Sequence, residues 1–252
     1  MTIKYLQQQD NVIVGITLKE DTQPEANNMA LHSCNNPEAI LANRKLLANA
    51  LQLPLEQFVC ANQTHSNHFF KVEKQHIGFG ALSADNAIID TDGLYTFEKN
   101  VVLCSFTADC VPVLFFDELT GLSGAIHSGW QGTIKEITPR FMEHLRDVEQ
   151  IDLARLQVWI GPALSQQRFE VDRDVYERFD ALGYAAPYMY FKEDTNKYHI
   201  DNQQVVRAQL IQQGVPAEHI TVDTTCTFDD SMGFSYRQNR TKNRHLSFIT
   251  TK

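Results

Sequence analysis

Long apolar runs are missing from this chain, so a helical membrane anchor is not expected. No stretch approaches the roughly 18 apolar residues that a spanning helix needs. The opening Met1-Thr2-Ile3-Lys4-Tyr5-Leu6-Gln7-Gln8 is too polar for a secretory leader. Basic clusters are missing as well. Lys and Arg number 22 against 31 Asp and Glu, a formal net charge of -9, and no Lys/Arg run offers a footing for a phosphate backbone. Neither nucleic acid nor a membrane is an expected partner, and a cytoplasmic protein is expected. Cysteine is sparse. Cys34, Cys60, Cys104, Cys110 and Cys226 are odd in number and widely scattered, in a chain too large to need staples, so reduced thiols are expected. No glycine-rich phosphate loop, dinucleotide fingerprint or Gly-x-Ser-x-Gly elbow occurs, which sets aside Rossmann and serine-hydrolase readings.

What is present is an ordinary globular balance, 43% hydrophobic and 21% charged over 252 residues. No repeat or Pro/Gly/Ser-rich linker divides it, so residues 1–252 are expected to form a single domain. Asn36-Pro37-Glu38 reads as a helix start: a cap, proline at the first turn and an acid at the positive end of the dipole. Ile40, Leu41, Leu46, Leu47 and Leu51 carry the helix on. Phe58–Ala61, Ala87–Asp90, Gly93–Thr96, Val101–Phe106, Val113–Phe116 and Leu122–His127 read as extended. A helix falls between Thr133 and Val148, with Pro139 either kinking it or following a cap at Thr138. Beyond it alternate a strand at Gln157–Ile160, a helix from Asp172 to Leu182, and a helix capped by Asp201 and stopped by Gly214. Strands at Ile220–Val222 and His245–Thr250 complete the pattern. Strands and helices without strict alternation predict an α/β (α+β) fold, mixed β-sheets flanked by helices.

Three segments place a metal-competent side chain at a strand end: Gln63-Thr64-His65-Ser66, Thr107-Ala108-Asp109-Cys110 and Ala125-Ile126-His127-Ser128-Gly129. The gaps of 45 and 17 positions far exceed those of a structural zinc finger, so the fold must exist before these donors converge. His65, Cys110 and His127 supply three donors for a transition metal such as zinc and leave a fourth tetrahedral position open, the pattern of a catalytic site. A turn near Thr120 would bring Cys110 and His127 side by side, and Gly129 and Gly132 would allow close backbone approach. The same residues also suit a cysteine hydrolase, with Cys110 as thiolate and His127 as base.

At these segments the chain resembles the YfiH-like family, also called the laccase-domain or polyphenol-oxidase family. The likeness runs from Asn28-Met29-Ala30-Leu31-His32 through Gln63-Thr64-His65, Asp90-Thr91-Asp92-Gly93-Leu94 and Thr107-Ala108-Asp109-Cys110-Val111-Pro112. It continues through His127-Ser128-Gly129-Trp130, Ile160-Gly161-Pro162, Cys226-Thr227 and Phe234-Ser235-Tyr236-Arg237. The resemblance implies a YfiH-like fold, zinc on His65, Cys110 and His127, and purine nucleoside phosphorylase activity. Adenosine, inosine and S-methyl-5'-thioadenosine would be cleaved by phosphate to free base and (methylthio)ribose 1-phosphate, with adenosine deamination as a second activity. Copper, in a polyphenol oxidase, and a non-catalytic metal-binding protein are the other readings that such a likeness admits.

Around the donors, Arg44 and Arg237 are the candidates for contacting phosphate or ribose, since a guanidinium fork suits oxyanions. Asp109 is a candidate orienter or proton acceptor, although in a regular strand it would face away from Cys110. Cys226 is a candidate neighbour of the metal or a buried thiol. Where the family pattern has Arg after the Trp, this chain has Gln131. Gln166 and Gln167 replace cysteines, Gln238 replaces an Arg, and Asn35-Asn36 replaces an Asp pair.

Overall fold

A computed structural model describes residues 1–9 and 11–252. Two sheets lie at its centre. The first runs β1 (Ile3–Gln8), β2 (Val12–Thr17), β14 (His245–Thr251), β6 (Val102–Thr107) and β3 (Phe58–Val59), antiparallel except for the β3–β6 pair. The second runs β13 (Ile220–Val222), β9 (Gln157–Ile160), β7 (Val111–Asp117), β8 (Leu122–Ser128), β5 (Gly93–Thr96) and β4 (Phe69–Lys71). A small sheet of β10 (Glu170–Val171), β12 (Lys197–Ile200) and β11 (Met189–Lys192) stands apart from them.

Side-chain alternation explains how the layers stack. From β7, Val111, Val113 and Phe115 point into one core while Leu114 and Phe116 point into another. From β6, Val102, Cys104 and Phe106 face outward and Leu103 faces the second sheet. The core holding Leu103, Leu114, Ala125, Trp159 and Ile249 is therefore sandwiched between the two large sheets. Helix α1 (Pro37–Leu51) covers the outer face of the first sheet through Leu47 and Leu51. On the outer face of the second lie α3 (Ile137–Asp147) and α5 (Asn202–Gln212), through Phe141, Leu145, Val206 and Leu210. Strands covered on both faces need apolar residues at every position, which is why β6 and β7 read as continuous runs in the sequence.

The remaining helices are α2 (Trp130–Ile134), α4 (Arg173–Asp180) and α6 (Tyr236–Asn239). Asn36 caps α1 by accepting from Glu38 N, and Asp201 caps α5 by accepting from Gln204 N. Gly214 takes a φ of 103°, ending α5 as expected. Pro139 neither kinks a helix nor follows a cap at Thr138. The chain breaks at Glu136 (φ 58°), and Pro139 lies in the first turn of α3, where helical N–H groups lack acceptors anyway. Ala87–Asp90 is not a strand. Ile88 makes one isolated bridge to Ala61, Ile89 is 80% exposed and Asp90 turns with φ 45°. No helix among the described residues is long and apolar enough to cross a membrane.

Buried His245 ties the segment before β14 to the first sheet. Its Nδ1 lies 2.7 Å from Thr17 O, and Phe234 N donates to its Nε2 at 2.6 Å. One nitrogen must donate and the other accept, so only the neutral ring fits. Burial, with Arg244 adding to it, pushes its pKa down to about 4. The unfolded ring titrates near 6.5, so this stability is full above that pH and is lost as pH falls from about 6.5 towards 4. Chemical unfolding at pH 5 should show a loss of about 2 kcal/mol relative to pH 7.5 that His245→Gln does not show. Equal acid sensitivity in the variant would contradict this role.

Candidate metal centre

The β7–β8 hairpin brings two of the three donors together. Pro112 pairs with His127, which leaves Cys110 just before β7 and opposite the end of β8. His65 arrives from the segment after β3. One ligand atom each from His65, Cys110 and His127 lies within 4.8 Å of the others. The Cys110 Sγ is 3.8 Å from His65 Nε2, and the two imidazole rings cross at 74° with centroids 4.8 Å apart. Gly129 makes this approach feasible, because a Cβ there would lie 2.7 Å from His65 Cδ2 and 3.0 Å from Cys110 Sγ.

Asp92, which sequence reasoning did not single out, organises the site. It stands one residue before β5, the neighbour of β8, and is 3% exposed. Its Oδ1 accepts from His127 Nδ1 at 2.7 Å and from His65 N at 3.1 Å. Its Oδ2 accepts from Ser66 N and Oγ, both at 2.7 Å, and from Thr64 N at 3.2 Å. The carboxylate thus holds three successive backbone amides in a nest, with His65 in the left-handed region at φ 59°. It also fixes the proton on His127 Nδ1 and leaves Nε2 for the cluster, as a carboxylate does behind a metal-ligating histidine. Burial works to raise the Asp92 pKa, but the bonds from His127 and Ser66 outweigh it and hold it near about 2.

The donors are tuned together. Burial alone would push the Cys110 thiol up, yet His127 and His65 outweigh it and bring its pKa down to about 6. Burial alone would lower His127, but the Cys110 thiolate and Asp92 raise it to about 9. Without a cation the pair is thiolate and imidazolium. A thiolate and two imidazoles, preorganised around one point, fit a borderline metal such as zinc.

The cluster forms the floor of a cavity of about 780 Å³, within the size range of small-molecule sites. Phe106, Trp130, Phe169 and Val175 supply apolar walls, and Arg237, Arg240 and Arg244 line another part. Asp109 lines it too, contrary to the strand expectation, because its φ of 85° breaks the alternation. Its carboxylate accepts from Thr227 Oγ1 at 2.8 Å and Arg237 N at 2.7 Å, so it buckles three segments beside Cys110. Arg237 lines the cavity but commits Nη1 to the carbonyls of Arg168 and Glu170. Arg44 is a correction. It is 1% exposed and donates to the carbonyls of Met29, Gly80 and Ala81, so α1 packing, not a ligand, uses its guanidinium. Cys226 accepts from Ser165 N at 3.4 Å and takes no part in the cluster.

Residues 19–252 match the family described as multi-copper polyphenol oxidoreductase laccase. The chain belongs to that family. Its relatives include purine nucleoside phosphorylase YlmD of Bacillus subtilis (strain 168), 33% identical over 98% of this chain and 91% of the relative. The YlmD phosphorylase of Geobacillus stearothermophilus is 35% identical over 94% of this chain and 89% of its own length. Among solved structures, the hypothetical protein YfiH of Bacillus licheniformis superposes with a TM-score of 0.91 at 32% identity, covering 96% of this chain and 93% of that one. YlmD from Geobacillus stearothermophilus gives 0.90 at 31% identity over 98% of both chains. The mixed α/β fold is thus the family's own.

Proposed function

We propose that this family member is a zinc-dependent purine nucleoside phosphorylase, with adenosine deamination as a second activity, built as one domain and working in the cytoplasm. One observation carries the reading. His65, Cys110 and His127 converge at the floor of an apolar-walled cavity, in a chain one-third identical to proteins named as phosphorylases. Phe106, Trp130 and Phe169 suit the flat faces of a purine, which bury well against aromatic rings. Arg237 keeps Nε and Nη2 for substrate hydroxyls or oxyanions. Zinc, when bound, supplies Lewis-acid polarisation at the cavity floor. In phosphorolysis a phosphate oxygen bonds to the anomeric carbon as the glycosidic C–N bond breaks and the base takes up a proton. The enzyme's task is then alignment and charge stabilisation. The donors speak against a multicopper centre, which needs several further histidines, since among the described residues one three-donor group converges. Zinc is the metal of this reading because an open three-donor site of this kind suits it.

Incubation with adenosine, inosine or S-methyl-5'-thioadenosine should release free base and a ribose 1-phosphate product only when phosphate is present. No phosphate-dependent base release from any of the three would refute the reading. The thiolate–imidazolium pair supports a second one, hydrolysis through Cys110 as nucleophile. Covalent capture of Cys110 during turnover, with activity indifferent to chelators, would favour it.

A further inference from the structure

The arginines of the cavity are not equivalent. Of the three that line it, none has a carboxylate within 4.0 Å among the described residues, but Arg237 commits Nη1 to the carbonyls of Arg168 and Glu170, while Arg240 and Arg244 are held differently. Arg244 is half-buried at the start of β14, held by its backbone: its N donates to Asn28 Oδ1 at 2.9 Å, and Met29 N donates to its carbonyl. Its Nη1 donates to the carbonyls of Thr241 and Asn243, both at 2.9 Å, which fixes the plane of the guanidinium. Among the described residues Nε and Nη2 have no acceptor. Arg240 lies at the exposed lip, its Nη1 donating to Tyr236 Oη at 3.1 Å and its charge 5.0 Å from the centroid of that ring.

A partly buried, immobilised cation without a counter-ion is costly unless an anion arrives to pair with it. The Asp109 carboxylate is turned to other partners, Thr227 Oγ1 and Arg237 N, and makes no ion pair with Arg244. The field is felt by His32, which also lines the cavity. Burial, then Arg244 and Arg44, push its pKa down to about 4, so it stands neutral beside the arginines with an N–H to offer.

We propose that Arg244, with Arg240 at the lip, is the phosphate-binding arm of the cavity, a part that neither Arg44 nor the residue replaced by Gln238 can play here. The inference rests on the phosphorylase reading. A tetrahedral oxyanion accepts from the free Nε and Nη2 edge of Arg244 in the two-pronged geometry that guanidinium favours. Arg240 adds charge at the point of arrival, and the anion then sits in the same cavity as a nucleoside on the aromatic walls.

Titration calorimetry with inorganic phosphate, on the zinc-loaded protein, tests this without relying on turnover. Arg244→Gln should weaken phosphate binding by about tenfold or more, Arg240→Gln by about threefold, and Arg244→Lys should fall between wild type and Arg244→Gln. In the phosphorolysis assay the same variants should raise KM for phosphate and leave KM for inosine within about twofold. Arg240→Gln alters an exposed side chain and keeps the proposal testable if Arg244 variants do not fold. AMP is run in parallel. Wild-type protein that binds no phosphate, or variants that bind it as tightly as wild type, would overturn the proposal. Loss of AMP binding with phosphate binding intact would also overturn it. Phosphate binding that depends on Arg244, in a protein without phosphorolysis, would uphold the subsite and sink the phosphorylase reading alone.

Discussion

His127→Ala should bring metal content from about one zinc per chain to less than about a tenth of that, and kcat/KM down by about a thousandfold or more. That loss corresponds to about 4 kcal/mol of transition-state stabilisation. The size of the effect follows from the site's economy of donors. If the proposed site has these three protein ligands and one open position, removing His127 leaves a thiolate and a single imidazole, too few to hold a borderline cation against water. The protein should still fold. Asp92 keeps its bonds from Thr64, His65 and Ser66, so the nest that positions His65 does not depend on the His127 ring. Metal analysis by mass spectrometry on the purified variant, with circular dichroism beside it, checks both halves. Full metal retention in a folded His127→Ala protein would mean that the three donors are not the site.

The donor triad was legible because two of its members flank a hairpin whose turn and strands announce themselves. Val113–Phe116 and Leu122–His127 are apolar runs, the stretch around Thr120 is turn chemistry, and register follows. Helix α1 was legible from its cap and Pro37. Asp92 was hidden for the opposite reason. It lies in Asp90-Thr91-Asp92, which reads as a polar turn, and its partner is 35 positions away on the adjacent strand β8. Only the pairing of β5 with β8 brings them together, and no local periodicity encodes that pairing. Arg44 misled because helical spacing says which face is buried but not whether a buried guanidinium meets backbone carbonyls or a ligand. Arg240 and Arg244 fall in an aperiodic stretch whose path is set by β14 joining the sheet. The strands β10, β11 and β12 were missed because they are short and partly exposed, with little apolar alternation.

Asp92→Asn tests whether the hidden carboxylate governs the metal as well as the fold. The substitution is nearly isosteric, so its effects come from hydrogen-bond polarity. The carboxylate accepts five hydrogen bonds, two at Oδ1 and three at Oδ2. An amide has one acceptor atom. If its nitrogen takes the Oδ2 place it opposes three donors from Thr64 and Ser66, and the nest that bends the chain at His65 is lost. If it takes the Oδ1 place it donates to His127 Nδ1, which moves the ring proton to Nε2 and removes that atom as a ligand. Either placement strikes the site. A cost of about 3 kcal/mol in unfolding free energy is expected, because buried donors lose their acceptor. Zinc affinity should fall about 10- to 100-fold, as it does when the carboxylate behind a ligating histidine is removed. Competition with a chromophoric chelator measures the second effect and denaturant titration the first. A variant that keeps wild-type zinc affinity while losing stability would confine Asp92 to holding the backbone and leave the His127 tautomer to be set by the metal itself.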